Sequence, residues 1–229
     1  MANTGTSNSC AESFCVCFVT GTRILTDRGE VAVEQLREGD LAVLESGERA
    51  AIKWLGWRTI PARLVAEDEA LAPVRIVRGA FGPDRPHRDL WVSGDHAIAA
   101  HGVIIPAKAL INGLTILRDR TEREVTYHHV ELDQHALLLA EGLAAESYLE
   151  WEDNRSFFAN STRATSARPD LPGIPDESQS CAPRVSDGPV VEEVKRLLLA
   201  RARELRFDAP LLSPAANCWG GGAPRVAVA

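Results

Sequence analysis

The chain has 229 residues, a net charge of −7, 45% hydrophobic residues and 25% charged residues. That size allows one good-sized domain with extras, and the acidic balance argues against a nucleic-acid surface, which needs clustered Lys and Arg. No apolar run approaches the roughly 18–20 residues needed to span a bilayer.

Residues 1–14 are small and polar, without periodicity, and read as a disordered N-terminal segment. Met1-Ala2-Asn3-Thr4 has neither a basic nor an apolar signal region, so the default location is cytoplasmic, with signal-free export also compatible. Residues 15–150 carry the β signal. Residues 23–26 and 31–33 flank an Asp27-Arg28-Gly29-Glu30 turn and read as a strand pair. Strands are also expected at 41–44, at 51–59 with Trp54 and Trp57, at 74–78 and at 90–93. Residues 97–100 and 103–105 should pair across His101-Gly102, and Pro106 should open a short helix to Ile111 that Asn112-Gly113 closes. The last strong strands are expected at 125–132 and 136–139. Many short strands with regular turn signals predict an all-β domain.

Residues 151–188 are rich in Ser, Pro, Asn and Asp and read as a linker. Residues 189–207 read as one amphipathic helix with Val190, Val194, Leu197, Leu198 and Leu205 on a shared face. Residues 208–229, with Gly220-Gly221-Gly222, read as a flexible tail.

Five cysteines lie near the two ends: Cys10, Cys15, Cys17, Cys181 and Cys218. An odd count at the ends does not suit a disulfide framework, and four of them read as incidental thiols in tails. Cys17 is different, because it heads the β domain. A cysteine there can attack the peptide bond before it. The attack requires a proton for the leaving amide nitrogen and support for the developing oxyanion. A histidine from a distant strand can supply the proton, and a hydroxyl three residues earlier can brace the same peptide. Ser93 and His96 have that spacing.

The stretch Cys17-Phe18, Gly21-Thr22, Ile24 and Thr26 resembles the first motif of Hedgehog/intein (Hint) domains. Val33-Glu34-Gln35-Leu36 with Gly39-Asp40 is similar to the strand and turn that follow it. Ser93-Gly94-Asp95-His96 resembles the second motif, with Ser in place of the usual Thr. The stretch 127–142 resembles the late β motif, with Asp133 and His135 at its polar positions. The ending Ala145-Glu146-Ser147-Tyr148-Leu149 is similar to a bacterial Hint subfamily common in alphaproteobacteria, and Cys181-Ala182-Pro183 through the helix resembles a frequent companion of it.

The resemblance implies an all-β, horseshoe-like fold and a self-cleaving domain. Its implied site is Cys17, Ser93, His96, Asp133 and His135. Its implied chemistry is an N–S acyl shift at Cys17, giving a thioester at Val16, then attack by water or an external nucleophile. The substrate is the chain's own N-terminal segment, and no cofactor or metal is called for. Inteins end the late motif with His-Asn, whose Asn cyclises to cut the C-terminal junction. Glu146 and Ser147 stand there, so full splicing has no route. No separate sterol-recognition segment is visible.

Two other classes remain open. One is a metal hydrolase using His96, His101, His128 and His135, although no close metal-ligand spacing supports it. The other is a decayed Hint domain acting as a binding or structural module, which the small size of the 16 residues before Cys17 favours. Cys17 then would be a buried small hydrophobe and His96 a satisfied core histidine. Strand alternation puts His128 and His129 on opposite faces, so at most one joins a site containing His135.

Overall fold

The computed structural model describes residues 16–120, 123–149, 158–160 and 180–206. The expectations for residues 1–14 and 208–229, for Cys10, Cys15 and Cys218, and for most of the stretch 151–179 lie outside the described residues.

Thirteen strands among the described residues form one open sheet. They are β1 (Phe18–Val19), β2 (Arg23–Thr26), β3 (Gly29–Ala32), β4 (Leu41–Val43), β5 (Arg49–Ile60), β6 (Val74–Ile76) and β7 (Leu90–Val92). Then come β8 (Ala97–Ala100), β9 (Val103–Pro106), β10 (Ile116–Arg118), β11 (Val125–Leu132), β12 (Leu137–Ala140) and β13 (Leu143–Glu146). The order across the sheet is β10-β6-β7-β1-β11-β5-β4-β2-β12-β13-β8-β9, with β3 on β2. The all-β expectation holds.

Strand β5 joins the two halves of this sheet. Its residues 49–51 pair with β4 and its residues 52–60 with β11. Ile52, Trp54 and Ile60 are buried along it, which is the period of a strand with one covered face. The hairpin turns follow from local sequence. His101-Gly102 and Glu141-Gly142 both take positive φ at two consecutive residues, 51° and 77° in the first and 49° and 77° in the second. That is the two-residue turn whose twist suits antiparallel strands.

Several elements went unseen in the sequence: helix α1 (Ala62–Glu67) and the short strands β1, β10 and β13. The expected short helix is a 3-10 turn at Ala107–Leu110. The C-terminal helix α2 (Pro189–Glu204) begins with Pro, which has no backbone N–H to leave unpaired there. Its buried face is Val191, Val194, Leu198 and Ala202, while Leu197 is exposed. Of the expected face, Val194 and Leu198 are buried and Val190 is partly buried against the core, whereas Leu197 is exposed and Val191 and Ala202 are buried in addition. Val191, Val194 and Leu198 join the main core with Ile98, Ile105 and Leu110, each worth about 1.5–3 kcal/mol on full burial.

The described parts of the expected linker are laid on the sheet. Ala159 N–H donates to Trp57 O (3.0 Å), and Ile104 exchanges bonds with the 183–185 segment (Ile104 N to Pro183 O 2.9 Å, Val185 N to Ile104 O 3.0 Å). Among the described residues no helix is long and apolar enough to cross a membrane.

Candidate active site

The site is built by the placement of a very short strand. Phe18 of β1 lies opposite His128 on β11 and opposite Val92 on β7. Extending both antiparallel registers by one residue sets Cys17 opposite His129 on one side and Ser93 on the other. The contacts agree. Cys17 Sγ is 2.8 Å from His129 Nε2. The Cys17 backbone N–H donates to Ser93 Oγ at 3.0 Å, and Ser93 N–H donates back to Cys17 O at 2.9 Å. The peptide nitrogen of the Val16–Cys17 bond and the thiol of Cys17 thus each have a dedicated partner.

His96 lies behind this clamp. Its backbone N–H donates to Ser93 O (3.2 Å), and its ring sits 4.3 Å from the Phe18 ring. It is fully buried. Burial pushes its pKa down to about 4; Glu146 and the Cys17 backbone act the other way, while His129 and Arg184 reinforce the drop. At neutral pH the ring is uncharged.

His129 is caged by aromatics. Tyr148 and Phe158 contact its ring edge to face at 4.8 Å and 4.2 Å, and Trp54 packs on both (5.7 Å and 5.6 Å). Gly56, opposite His129 on β5, makes room for this cage: a Cβ there would meet Trp54 Cη2 at 2.3 Å. His128 faces elsewhere, with Nε2 2.8 Å from Thr20 Oγ1, and burial lowers its pKa.

The remaining sequence-derived residues fall outside the clamp. Asp133 is 83% exposed at its side chain, with its carboxylate 3.9 Å from Lys53 Nζ; it sits in the turn after β11, where water can solvate it. His135 has a side chain only 2% exposed, but its Nε2 faces Glu146 Oε2 at 3.5 Å and its Nδ1 lies 3.1 Å from the Cys181 backbone nitrogen. Burial lowers the pKa of His135, but the Cys181 side chain and Glu146 outweigh it and raise the value to about 9. Cys181 meets His135 through its backbone N–H.

In the sequence Glu146 is only the residue in place of a splicing histidine; in the fold it is a hub. It is 3% exposed, takes Ala97 N–H at 2.6 Å, and binds Arg184 Nη1 through both oxygens at 2.7 and 2.8 Å. Arg184 Nη2 also donates to Asp95 O. Burial would raise the Glu146 pKa, yet His135, Arg184 and His96 overcome that and hold it at about 2. Ser147 is buried, and its Oγ accepts Ala136 N–H at 3.0 Å. His129, Glu146 and Arg184 are thus the members that sequence reasoning missed. Only a register between β1 and β11 could have singled out His129.

The four histidines of the metal reading do not gather. His101 is exposed in its turn, and His96, His128 and His135 have the separate partners just given. Among the described residues the group able to close on an ion is Glu30, His87 and Glu141. There Arg88 already bridges the acids, at 3.1 Å to Glu30 and 2.6 Å to Glu141.

The low value at His96 makes a stability prediction. An unfolded histidine titrates near 6.5, so the unfolded chain binds the proton more readily than the fold does. Stability is then full above about pH 6.5 and falls as pH drops toward 4. The loss is roughly 3 kcal/mol by pH 4, because each pH unit between the two values removes about 1.36 kcal/mol. Glu146 adds little in this window, since its contribution is lost only as pH falls through the ordinary carboxylate value toward about 2. Urea midpoints at pH 7 and pH 4.5 should separate by less in His96→Gln than in the parent; equal separation would refute the assignment.

Residues 16–152 match the sequence model of the Hint domain. Among solved structures, a bacterial intein-like domain from Clostridium thermocellum is similar at 16% identity and a TM-score of 0.45, covering 58% of this chain and 99% of its own. The MchDnaB-1 intein is similar at 13% identity and 0.42, covering 57% and 99%. The gp41-1 intein follows at 12% and 0.40, covering 56% and 96%. No curated protein sequence matches the chain.

Proposed function

The chain belongs to the Hint-domain family, and from that premise we propose that it is a self-cleaving domain that breaks its own Val16–Cys17 bond. The observation that carries this reading is the setting of Cys17 between Ser93 and His129, with the thiol 2.8 Å from an imidazole nitrogen and the amide N–H on a hydroxyl.

In the first step Cys17 Sγ attacks the Val16 carbonyl carbon. His129 Nε2 takes the thiol proton, the two-group logic of an activated nucleophile. The C–N bond breaks as the Cys17 nitrogen gains a proton, and the buried His96 ring is the group placed to govern that transfer. Ser93 holds the same nitrogen in line. The product is a thioester between Val16 and Cys17. Water or an external nucleophile then attacks the thioester carbonyl, releasing the preceding segment and the free thiol.

Cleavage stops there. Glu146 carries a firmly held negative charge and Ser147 Oγ is engaged by Ala136 N–H. Neither side chain can cyclise as Asn does, so no C-terminal cut follows.

Dithiothreitol or hydroxylamine added to the purified chain should release residues 1–16 and leave a product beginning at Cys17, read by intact mass. Thioesters yield to these nucleophiles and amides do not. Cys15 is an internal control, because attack at its own peptide bond would give a product two residues longer. A chain that stays full length in strong thiol, with its fold intact, would instead support a module that keeps the fold without the chemistry. Full burial of Cys17 is the feature that would then explain the silence.

A further inference from the structure

We propose that Arg184 is a positioning residue for His96, and that docking of the 180–206 segment on the sheet thereby sets the rate of cleavage. This role rests on the cleavage reading and deepens it, since it assigns a control to the same site.

His96 has to stand at one place against the Cys17 amide nitrogen, yet little fixes its ring directly. Among the described residues no side chain hydrogen-bonds either ring nitrogen. The ring packs on Phe18 at 4.3 Å, a contact without direction. Its position is therefore handed down from the backbone of the loop that carries it. A misplacement of about 1 Å at such a group can cost on the order of a hundredfold in rate.

Two elements hold that loop. On one side is the 3-10 turn at Ala107–Leu110. Ala107 N–H donates to His96 O (2.9 Å) and Lys108 N–H donates to Gly94 O (2.8 Å), while Lys108 Nζ meets the Asp95 carboxylate at 2.6 Å. On the other side is Arg184. Its Nη2 donates to Asp95 O, and its Nη1 binds both oxygens of Glu146. Glu146 in turn takes Ala97 N–H at 2.6 Å. The peptide groups just before and just after His96 thus hang on one guanidinium–carboxylate pair. A planar guanidinium serves a carboxylate and a carbonyl together; an ammonium is a point charge and cannot keep both in this geometry.

The guanidinium is supplied from outside the sheet. Arg184 stands 38 residues beyond Glu146. Its neighbours tie it to β9, the last strand of the sheet order, through Ile104 N–H to Pro183 O and Val185 N–H to Ile104 O. Helix α2 follows, with Val191, Val194 and Leu198 in the main core. The clamp closes only when this segment is docked. A chain with the segment lifted keeps Cys17, Ser93 and His129 in place but holds the His96 loop by the 3-10 turn alone. Cleavage is thus coupled to completion of the C-terminal part of the fold.

The test times release of residues 1–16 in dithiothreitol by intact mass on the full chain, with circular dichroism checking the fold of each variant. Arg184→Ala should slow release by about tenfold to a hundredfold. Arg184→Lys should slow it nearly as much, although its denaturant midpoint stays nearer the parent's, because the charge is kept and the second arm is lost. Val185→Pro removes the N–H bonded to Ile104 O and leaves the guanidinium intact; it should slow release as well. A second readout needs no cleavage. In the Cys17→Ala chain the ring nitrogens of His96 are followed by NMR through a pH titration. The groups whose charge bears on that ring are Glu146, His129 and Arg184. Arg184 opposes protonation, so Arg184→Ala should move the midpoint upward from about 4 and broaden the ring signals as the loop loosens. Release at the parent's rate in both Arg184→Ala and Val185→Pro overturns the coupling. Release at the parent's rate in Arg184→Lys shows that charge alone suffices and overturns the two-armed clamp. A parent that stays full length in thiol sinks the cleavage reading instead, and the NMR then decides: an unmoved His96 signal in Arg184→Ala overturns the positioning, and a moved one upholds it. If Arg184→Ala fails to fold, Arg184→Lys and Val185→Pro carry the decision.

Discussion

If the proposed cleavage holds, Cys17→Ala should abolish thiol-induced release of the N-terminal segment, and His129→Ala and His96→Ala should each slow it by roughly 10²–10⁴-fold, the usual worth of a positioned acid or base. The Cys17 loss is complete because no thioester forms without sulfur. The variant keeps its fold: Cys17 belongs to a satellite cluster with Val19, Ile60 and Tyr127, and alanine removes only one atom beyond Cβ. The two histidine effects separate by position. His129 touches the sulfur at 2.8 Å, so its loss leaves the thiol proton without an acceptor. His96 touches neither sulfur nor substrate side chain in this way; its ring lies against Phe18 and the Cys17 backbone, so its loss falls on breakage of the C–N bond. Time courses by quenched intact mass distinguish them, since a more alkaline medium should recover part of the rate in His129→Ala and none in His96→Ala. Equal, small effects of both would return the site to packing.

How much of this was legible in the sequence depends on the range of the interaction. The long alternating strand at 125–132 coincides with β11 (Val125–Leu132), because alternation over eight residues is a local signal. The hairpin at His101-Gly102 was legible for the same reason, the turn residues being adjacent to the strands they join. Strand β1 has two residues, too few to show a period, and yet its insertion between β7 and β11 makes the site. Ser93 and His96 could be named because they share a motif with fixed spacing. His129 could not, since what selects it is a pairing across a separation of 112 residues.

The same argument applies to the described residues after 150. Composition there marks a linker, and Ser, Pro and Asp do dominate. What composition cannot weigh is one buried anchor such as Phe158, 5% exposed in the Trp54 and Tyr148 cluster. Nor can it see that Arg184, in a run otherwise free of strong patterning, meets a buried carboxylate 38 residues away. The face of α2 was legible in part. Val194 and Leu198 are buried as the period implies, but Val190 and Val191 are both apolar, and only the packing of the fold makes Val191 the more deeply buried of the two.

Arg184→Ala lowers unfolding stability by roughly 3 kcal/mol, the cost of stripping one partner from a buried ion pair. The expectation rests on Glu146, whose carboxylate is 3% exposed and is bound through both oxygens by Arg184 Nη1. Without the guanidinium, Ala97 N–H at 2.6 Å and the more distant His135 remain as partners of the buried carboxylate. The backbone bonds of Pro183 and Val185 to Ile104 do not involve the side chain, so the segment should stay in place and the loss should trace to charge. Arg184→Lys tests this: it keeps the charge but loses the two-pronged geometry, and should cost less than alanine. Adding Glu146→Gln to Arg184→Ala should recover part of the stability, because the stranded charge is then removed. Denaturant midpoints of the parent, the two single variants and the double variant give the coupling directly. The effect should also reach the site proposed for cleavage. Arg184 works against protonation of His96 and Glu146 works for it, so Arg184→Ala should raise the pKa of His96 and shrink the acid-induced loss of stability. A cost below about 0.5 kcal/mol, the scatter of ordinary surface substitutions, would show that Glu146 is satisfied without Arg184 and that the 180–185 segment holds to the domain through its backbone alone.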